Sequence, residues 1–331
     1  MHVSQFDQIL AQMPRRGGLV ARALHWLLLL QLALAGGIGW WGYHALAATA
    51  VATAPALLLA ILSGAAAVLL LRLSITLHNF HLAAKVASPC PQKLGLRQWC
   101  RLFLAEFYST LYSSSWGMLR CAFERHWFGA SGTPPVLLVH GYVCNSGYWH
   151  RLSRVLQGER INHFALDLEP VFGSIDDYVP MLRKAVESIC LETGSESVII
   201  VAHSMGGLAA RAYMRDWGSA RVAKLITIGS PHHGTGIAER GPGINSRQME
   251  WSAKSGDESA WLQALDASES SATRSLITSI FSYQDNIISP QLSSVLDGAN
   301  NLPFFGIGHV ELALHPAIHA CVLAEIKQAA P

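Results

Sequence analysis

Charge is what this 331-residue sequence has least of: Lys, Arg, Asp and Glu make up 14% of it, against roughly 25% in ordinary soluble domains. The deficit is local. Between Ala23 and Leu71 there is no Lys, Arg, Asp or Glu at all, and membrane insertion is the usual reason for such a gap. The charge that is present is balanced, 24 basic against 22 acidic residues for a net +2. With no basic block interleaved with aromatics, nucleic acid is not an expected partner. The six cysteines (Cys90, Cys100, Cys121, Cys144, Cys190, Cys321) include no C-x-x-C pair and no zinc-ligand spacing. A chain this long forms a core without staples, so they read as small buried hydrophobes, with a single bridge as the alternative. No metal or organic cofactor is expected from any pattern, and no internal repeat or low-complexity tract is present.

A spanning helix needs roughly 20 apolar residues, so the uncharged stretch supplies two. The first is expected over Leu24–Trp41 and the second over Leu46–Leu71, with Gly42-Tyr43-His44 as the turn and Trp26, Trp40, Trp41 and Tyr43 at the interfaces. Arg15, Arg16 and Arg22 precede the pair; Arg72, Lys85, Lys93, Arg97 and Arg101 follow it; the turn carries no basic residue. The positive-inside rule then puts both ends in the cytoplasm. The expectation is a multi-pass protein of a bacterial-type inner membrane: a cytoplasmic segment over 1–22, a hairpin over 23–73, and a catalytic domain on the cytoplasmic side. A periplasm-facing domain is the alternative, because a basic start, an apolar run and Ala45-Leu46-Ala47 also fit a secretory signal. A buried soluble helical hairpin is the third reading of the stretch.

Residues 74–132 read as a helical, aromatic connector. Phe103, Phe107 and Leu111 recur every four residues, the spacing of one helical face, which suits either packing on the catalytic domain or lying on a bilayer. From 133 to 331 the texture changes to short apolar runs alternating with helical stretches. Strands are expected at Val136–His140, Asn162–Leu166, Ser197–Ala202, Val222–Ile228, Leu276–Phe281 and Leu302–Gly306, with helices at Ile175–Leu191, Met205–Trp217 and Ala313–Gln328. Such alternation predicts an α/β fold with a mainly parallel, doubly wound sheet.

The string Val198-Ile-Ile-Val-Ala-His-Ser-Met-Gly-Gly207 runs a β-branched strand into Ser204 and directly on into a helix. That is the context of a nucleophile elbow, a sharp turn that lifts the serine hydroxyl at the sheet's carboxyl edge. Small residues are needed two before and two after the serine; here they are Ala202 and Gly206, with His203 between strand and nucleophile. An acyl transfer also needs an oxyanion hole of two backbone N–H donors. Met205, after the nucleophile, is one candidate; Tyr142, in the His140-Gly141-Tyr142 loop after the first strand, is the other, with His140 holding the loop. The acid and base should follow in the order serine, acid, histidine. Asp285 lies just past the strand at Leu276–Phe281, and His309 ends the next strand between Gly308 and the last helix. Asp266 and Asp297 are rival acids in helical-looking stretches; His203, His232, His233, His315 and His319 are rival bases better suited to surface or packing.

The strings HGY (140–142), AHSMGG (202–207), GSPHHGT (229–235), DNIISP (285–290) and GIGHV (306–310) resemble the bacterial lipase/esterase group of the α/β-hydrolases. The run from Asp285 through Leu296-Asp297-Gly298-Ala299-Asn300 to His309 is especially similar to small lipase-A-type enzymes. The resemblance covers about 134–328. It implies a carboxylic-ester hydrolase acting on acyl-ester or lipid substrates through Ser204, Asp285 and His309. It does not cover the apolar hairpin or the connector, which small secreted lipases lack, so extracellular triglyceride is not the implied substrate. An acyltransferase with the same triad and a non-catalytic membrane scaffold are the alternatives. The segment 231–275, with Met249, Trp251 and Trp261, is expected to be either a lid or a plain surface excursion. Tyr148, Trp149 and Phe172 are candidate pocket residues.

Overall fold

The computed structural model describes residues 18–49, 52–130 and 132–329. Arg15, Arg16 and most of the expected N-terminal segment lie outside the described residues. Two long helices open the fold, α1 (Gly18–Ala47) and α2 (Thr53–Ala84). Both are long and apolar enough to cross a membrane, and only 6% and 17% of their most apolar windows is buried inside the protein. They pair through small residues. Ala56, Ala60 and Gly64, four apart on one face of α2, are buried; a Cβ on Gly64 would run into the Ala35 carbonyl, and one on Gly39 would lie 2.9 Å from the Ala60 carbonyl. Small-xxx-small stripes of this kind let backbones approach where the hydrophobic effect offers no drive.

The hairpin differs from expectation at both ends. Gly42-Tyr43-His44 is helical, and the turn comes after Ala47, because nothing in those three residues stops a helix while Pro55 can start the next one at its first turn. Helix α2 also continues past Leu71 to Ala84. At 1.5 Å per residue it is about 48 Å long, more than the roughly 30 Å hydrocarbon core, and its last turns pack on protein. Phe80 there meets Phe103 of α3 (Leu96–Tyr112), ring centroids 5.9 Å apart. Helix α3 runs into a π-helical turn, Ser113–Gly117.

The remainder is a seven-stranded sheet in the order β1-β3-β2-β4-β5-β6-β7. Its strands are β1 (Arg125–His126), β2 (Val136–Val139), β3 (His163–Leu166), β4 (Val198–His203), β5 (Val222–Ile228), β6 (Ile277–Ser282) and β7 (Asn300–Phe304). All neighbours are parallel except β1 with β3. The two-residue edge strand β1 carries no hydrophobic alternation and was not expected. The other strands fall within two residues of expectation, β7 starting earlier because Asn300 and Asn301 pair with Thr278 and Ser279. Helices α4 (His150–Gly158) and α8 (Pro316–Gln328) cover one face, α5 (Val179–Thr193) and α6 (Met205–Trp217) the other, with α7 (Ala260–Ala267) beside them. Expected helix starts move inward at two places: Ile175–Tyr178 is a 3-10 turn, and α8 begins at Pro316, which fits a first helical turn.

After β2 the chain crosses to β3 on one side and then returns to β4 on the other. Ligands of open α/β sheets bind at such a switch point, beyond the carboxyl ends of the strands, here between β2 and β4. The hairpin is docked on this domain at its open end. Val20 of α1 joins the core with Leu152 and Ile318, the Leu19 N–H donates to Glu169 (2.8 Å), and Ser289 donates to the Ala83 carbonyl at the end of α2 (2.8 Å).

Candidate active site

Ser204 sits at the turn between β4 and α6 with φ +54°. A non-glycine residue there costs on the order of 1–3 kcal/mol and persists where surroundings over-determine it. The surroundings are tight: a Cβ on Gly206 would lie 2.5 Å from the Val139 carbonyl and 2.6 Å from that of His140, and one on Gly141 2.9 Å from the Ser204 Cβ. Ala202, fully buried, is the small residue on the strand side. The elbow is therefore clamped against the end of β2, which brings the His140-Gly141-Tyr142 loop beside the serine.

His140 is held in one tautomer. Its Nε2 accepts from the Leu168 N–H (3.0 Å), so Nδ1 is the donor to the Gly141 carbonyl (2.9 Å). Burial outweighs the pull of Asp167 and lowers its pKa, keeping the ring neutral. These two bonds fasten the loop. Among the described residues, neither the Tyr142 nor the Met205 N–H donates to a backbone acceptor.

His309 begins a short helical turn, His309–Leu312, after β7. Its Nδ1 is 2.8 Å from Asp285 Oδ2. The other carboxylate oxygen of Asp285 accepts the N–H groups of Ile287 (2.8 Å) and Ile288 (2.7 Å), so Asp285 is fixed before it meets the ring. Burial opposes charge on His309, but the charge and hydrogen bond of Asp285, with Glu106 adding to them, raise its pKa above 6.5. His203, behind it, packs against His309 with ring centroids 4.6 Å apart and planes tilted by 44°, and bonds the His309 carbonyl through Nε2 (3.2 Å). Burial, then the charge of His309, pushes the His203 pKa well down, so only one of this ring pair takes a proton.

Ser204, His309, Gly141, Tyr142, Tyr148, His203, Val310 and Ile287 line one cavity of about 250 Å³ with Cys144 and Met118. Burial pushes the Cys144 thiol up to about 12, so it is not a competing nucleophile near neutrality. Of the three candidate pocket residues, Tyr148 lines this cavity, and its hydroxyl donates to the Val310 carbonyl (2.9 Å). Trp149 does not line it but lies fully buried behind it, its ring against those of Tyr148 and His203 (centroids 5.9 and 6.4 Å apart). Phe172 is 44% exposed and touches only the rim, against the Tyr142 ring. The other histidines are spent on structure: His232 on Thr227, His233 on Glu258, His315 capping α8 and His319 on the Ala313 carbonyl. Asp266 pairs with Arg274 and Arg211, and Asp297 lies exposed in a turn rather than a helix.

The rest of the wall comes from an unexpected place. Thr110, Ser113 and Ser114, at the junction of α3 and the π turn, line the cavity, whereas no residue of 231–275 does. That segment reaches only the rim, where Tyr142 donates to the Pro242 carbonyl (2.6 Å); Trp261 is held instead by Asp176 (2.8 Å). Helix α3 also sends a carboxylate to the histidine turn. Glu106, 1% exposed, accepts the N–H groups of Val310 (3.1 Å) and Glu311 (2.9 Å). A Cβ on Gly308 would strike the Glu106 carboxyl at 2.5 Å, so glycine there is what admits the carboxylate. Burial raises the Glu106 pKa against the pull of those N–H groups and of His309. The sequence signal was available but discordant, a lone acid inside an aromatic helix.

A family model described as the alpha/beta hydrolase fold matches residues 134–245. The chain is 30% identical over 116 residues to a triacylglycerol lipase of Pseudarthrobacter phenanthrenivorans, covering 32% of this chain and 35% of that one. It is equally similar, 30% over 116 residues, to a triacylglycerol lipase of Burkholderia plantarii, covering 32% and 31%. The chain thus spans about a third of the length of the curated relatives it matches. Among solved structures, Aspergillus fumigatus lipase B superposes with a TM-score of 0.52 at 17% identity, covering 74% of this chain and 64% of that one, a likeness of fold.

Proposed function

We propose, from the premise of an α/β-hydrolase fold, that the chain is a membrane-anchored carboxylic-ester hydrolase of lipase or phospholipase-like type, with Ser204 as nucleophile. The observation that carries the reading is the strained Ser204 elbow on one cavity with a His309 whose Nδ1 is 2.8 Å from Asp285. With Nδ1 engaged, His309 Nε2 takes the Ser204 proton as Oγ attacks the ester carbonyl. The oxyanion of the tetrahedral intermediate receives the Met205 and Tyr142 N–H groups, where charge develops. Collapse expels the alcohol, protonated by His309, and leaves an acyl-enzyme on Ser204. Water then attacks with the same histidine as base and releases the acid. Asp285 orients the ring and stabilises the imidazolium without itself being protonated. The similarity to triacylglycerol lipases supports ester substrates with acyl chains. The apolar, little-buried α1–α2 pair supports an anchor in the bilayer, where a lipid substrate is concentrated beside the site.

The test is hydrolysis of p-nitrophenyl esters by detergent-purified protein, with fluorophosphonate labelling, beside Ser204→Ala. Activity should fall at least about 10⁴-fold and labelling should vanish. A variant that hydrolyses and labels like the parent would remove Ser204 from the mechanism.

A further inference from the structure

A second cavity, of about 320 Å³, lies between the two long helices and α3. Its walls are Leu27, Leu30 and Leu34 of α1, Leu71 and Ile75 of α2, and Phe107 and Leu111 of α3. This is the aromatic stripe of the connector, turned not toward the catalytic core but toward the hairpin. The cavity is almost wholly apolar, and it meets the Ser204 cavity at a common wall, Thr110 and Ser114, which line both. The wall is tied to the hairpin by one charged side chain. Arg72 donates from Nη1 to Ser114 Oγ (2.9 Å) and from Nε to Gln31 Oε1 (2.9 Å). Arg72 is also the first charged residue after the uncharged run, so the cavity sits at the level where α2 would leave the hydrocarbon. The wall itself is part of the π turn, a local irregularity frequent at functional sites. Next to it, the buried Ser113 hydroxyl lines the Ser204 cavity with no hydrogen-bond partner among the described residues.

We infer that the hairpin cavity is the acyl subsite of the enzyme: the fatty chain of a bilayer lipid lies between α1, α2 and α3, and its ester passes the Thr110–Ser114 wall to reach Ser204. The inference rests on the hydrolase reading and names its substrate class, esters of long-chain lipids drawn from the membrane. Four features select that occupant. The cavity is walled mainly by apolar side chains and lies between α3 and the two apolar, little-buried helices. It adjoins the reacting serine. Two of its polar lining residues, Thr110 and Ser114, stand on the wall shared with the Ser204 cavity. The unpartnered Ser113 hydroxyl is then available to the polar, alcohol-bearing part of the lipid. On this account the hairpin feeds the site as well as anchoring it, and α3 is the partition between membrane and chemistry.

The experiment fills the cavity at two residues that do not line the Ser204 cavity, with Leu30→Trp and Ile75→Trp, singly and together, in the full chain. The ratio of palmitate to butyrate ester hydrolysis should fall about tenfold or more while butyrate hydrolysis stays level. Level butyrate with an unchanged ratio would overturn the subsite, because the long chain would then lie elsewhere. A second measurement needs neither folded variants nor turnover: the parent protein in vesicles containing phosphatidylcholine with a diazirine at the acyl end. Crosslinks should fall within 27–34 and 71–76; crosslinks confined to other lipid-facing positions would also overturn it. Absence of any ester hydrolysis, with crosslinks still at those positions, would reject the hydrolase reading and leave the lipid site standing.

Discussion

His309 receives support from three directions, and each belongs to a different part of the chain. Asp285 holds Nδ1, His203 holds the carbonyl, and Glu106 caps the N–H groups that follow. The charge of Glu106 also helps raise the histidine pKa. In the proposed mechanism His309 must be neutral to accept a proton, so activity should rise with pH through its pKa, and a raised pKa puts the acid limb above the ordinary 6.5. Glu106→Gln keeps an acceptor but removes the charge. The acid limb of kcat/KM should therefore move to lower pH, a shift that a merely structural role for Glu106 would not produce. Glu106→Ala should instead lose fold, because two buried N–H groups lose their partner at about 1–3 kcal/mol each. A pH profile identical to the parent in Glu106→Gln would confine Glu106 to capping. The placement of Ser204, Asp285 and His309 together was legible in sequence because each sits in a local string with its own backbone requirement: strand-to-helix for Ser204, strand end for Asp285, glycine-flanked strand end for His309. Glu106 was not legible, since its meaning comes from a turn 204 residues away. Trp149 lies behind the cavity wall rather than in it, and aromatic content alone does not say which of two adjacent rings, Tyr148 or Trp149, reaches a cavity.

Helix α3 shows why an element can be located and its role still be missed. Its apolar stripe Phe103, Phe107 and Leu111 suggested the buried face, yet the residues most buried are Leu102, Glu106 and Ser109. The helix has two packed faces, one polar face on the catalytic domain and one apolar face on the hairpin, and periodicity reports only the apolar one. The same limit applies to the spans. Hydropathy marked the stretch but not the turn, because turn position depends on where a helix is stopped, and Gly42-Tyr43-His44 stops nothing. What sets the pairing of α1 with α2 is close backbone approach. Gly64→Val forces a side chain into the Ala35 backbone, whereas Gly36 has nothing within 4 Å of where a Cβ would sit. Overpacking costs typically about 1–3 kcal/mol, so Gly64→Val should lower the Tm of the full chain in detergent while Gly36→Val leaves it near the parent value. Equal effects from both would mean that helix propensity, not contact, is being measured. The parallel sheet was largely legible because near-continuous Val and Ile runs between helical stretches admit few other arrangements. Its edge strand β1, two residues without a pattern, was not.

At the scale of the molecule, the described residues join the hairpin to the hydrolase domain at the open end of the hairpin. The start of α1 is bonded to Glu169 and packed into the core, and the end of α2 is bonded to Ser289; the turn after Ala47 lies at the far end of two helices about 45 Å long. In a bilayer this geometry puts the domain and both helix ends on one side and the tip on the other. The basic residues choose the side: Arg22 precedes the uncharged run, Arg72, Lys85, Lys93, Arg97 and Arg101 follow it, and the tip carries no basic residue. We propose, by the positive-inside rule, that the domain faces the cytoplasm. Two single-cysteine proteins in an otherwise cysteine-free background read this directly. Thr49→Cys places an exposed thiol at the tip, and native Cys100 is exposed on α3 beside the domain. In intact cells stripped of their outer envelope, a membrane-impermeant maleimide should label Thr49→Cys at once and Cys100 only after permeabilisation. The opposite pattern would turn the enzyme to face outward, with the hairpin cavity opening toward the outer leaflet. Labelling of both without permeabilisation would mean that the helices do not span at all.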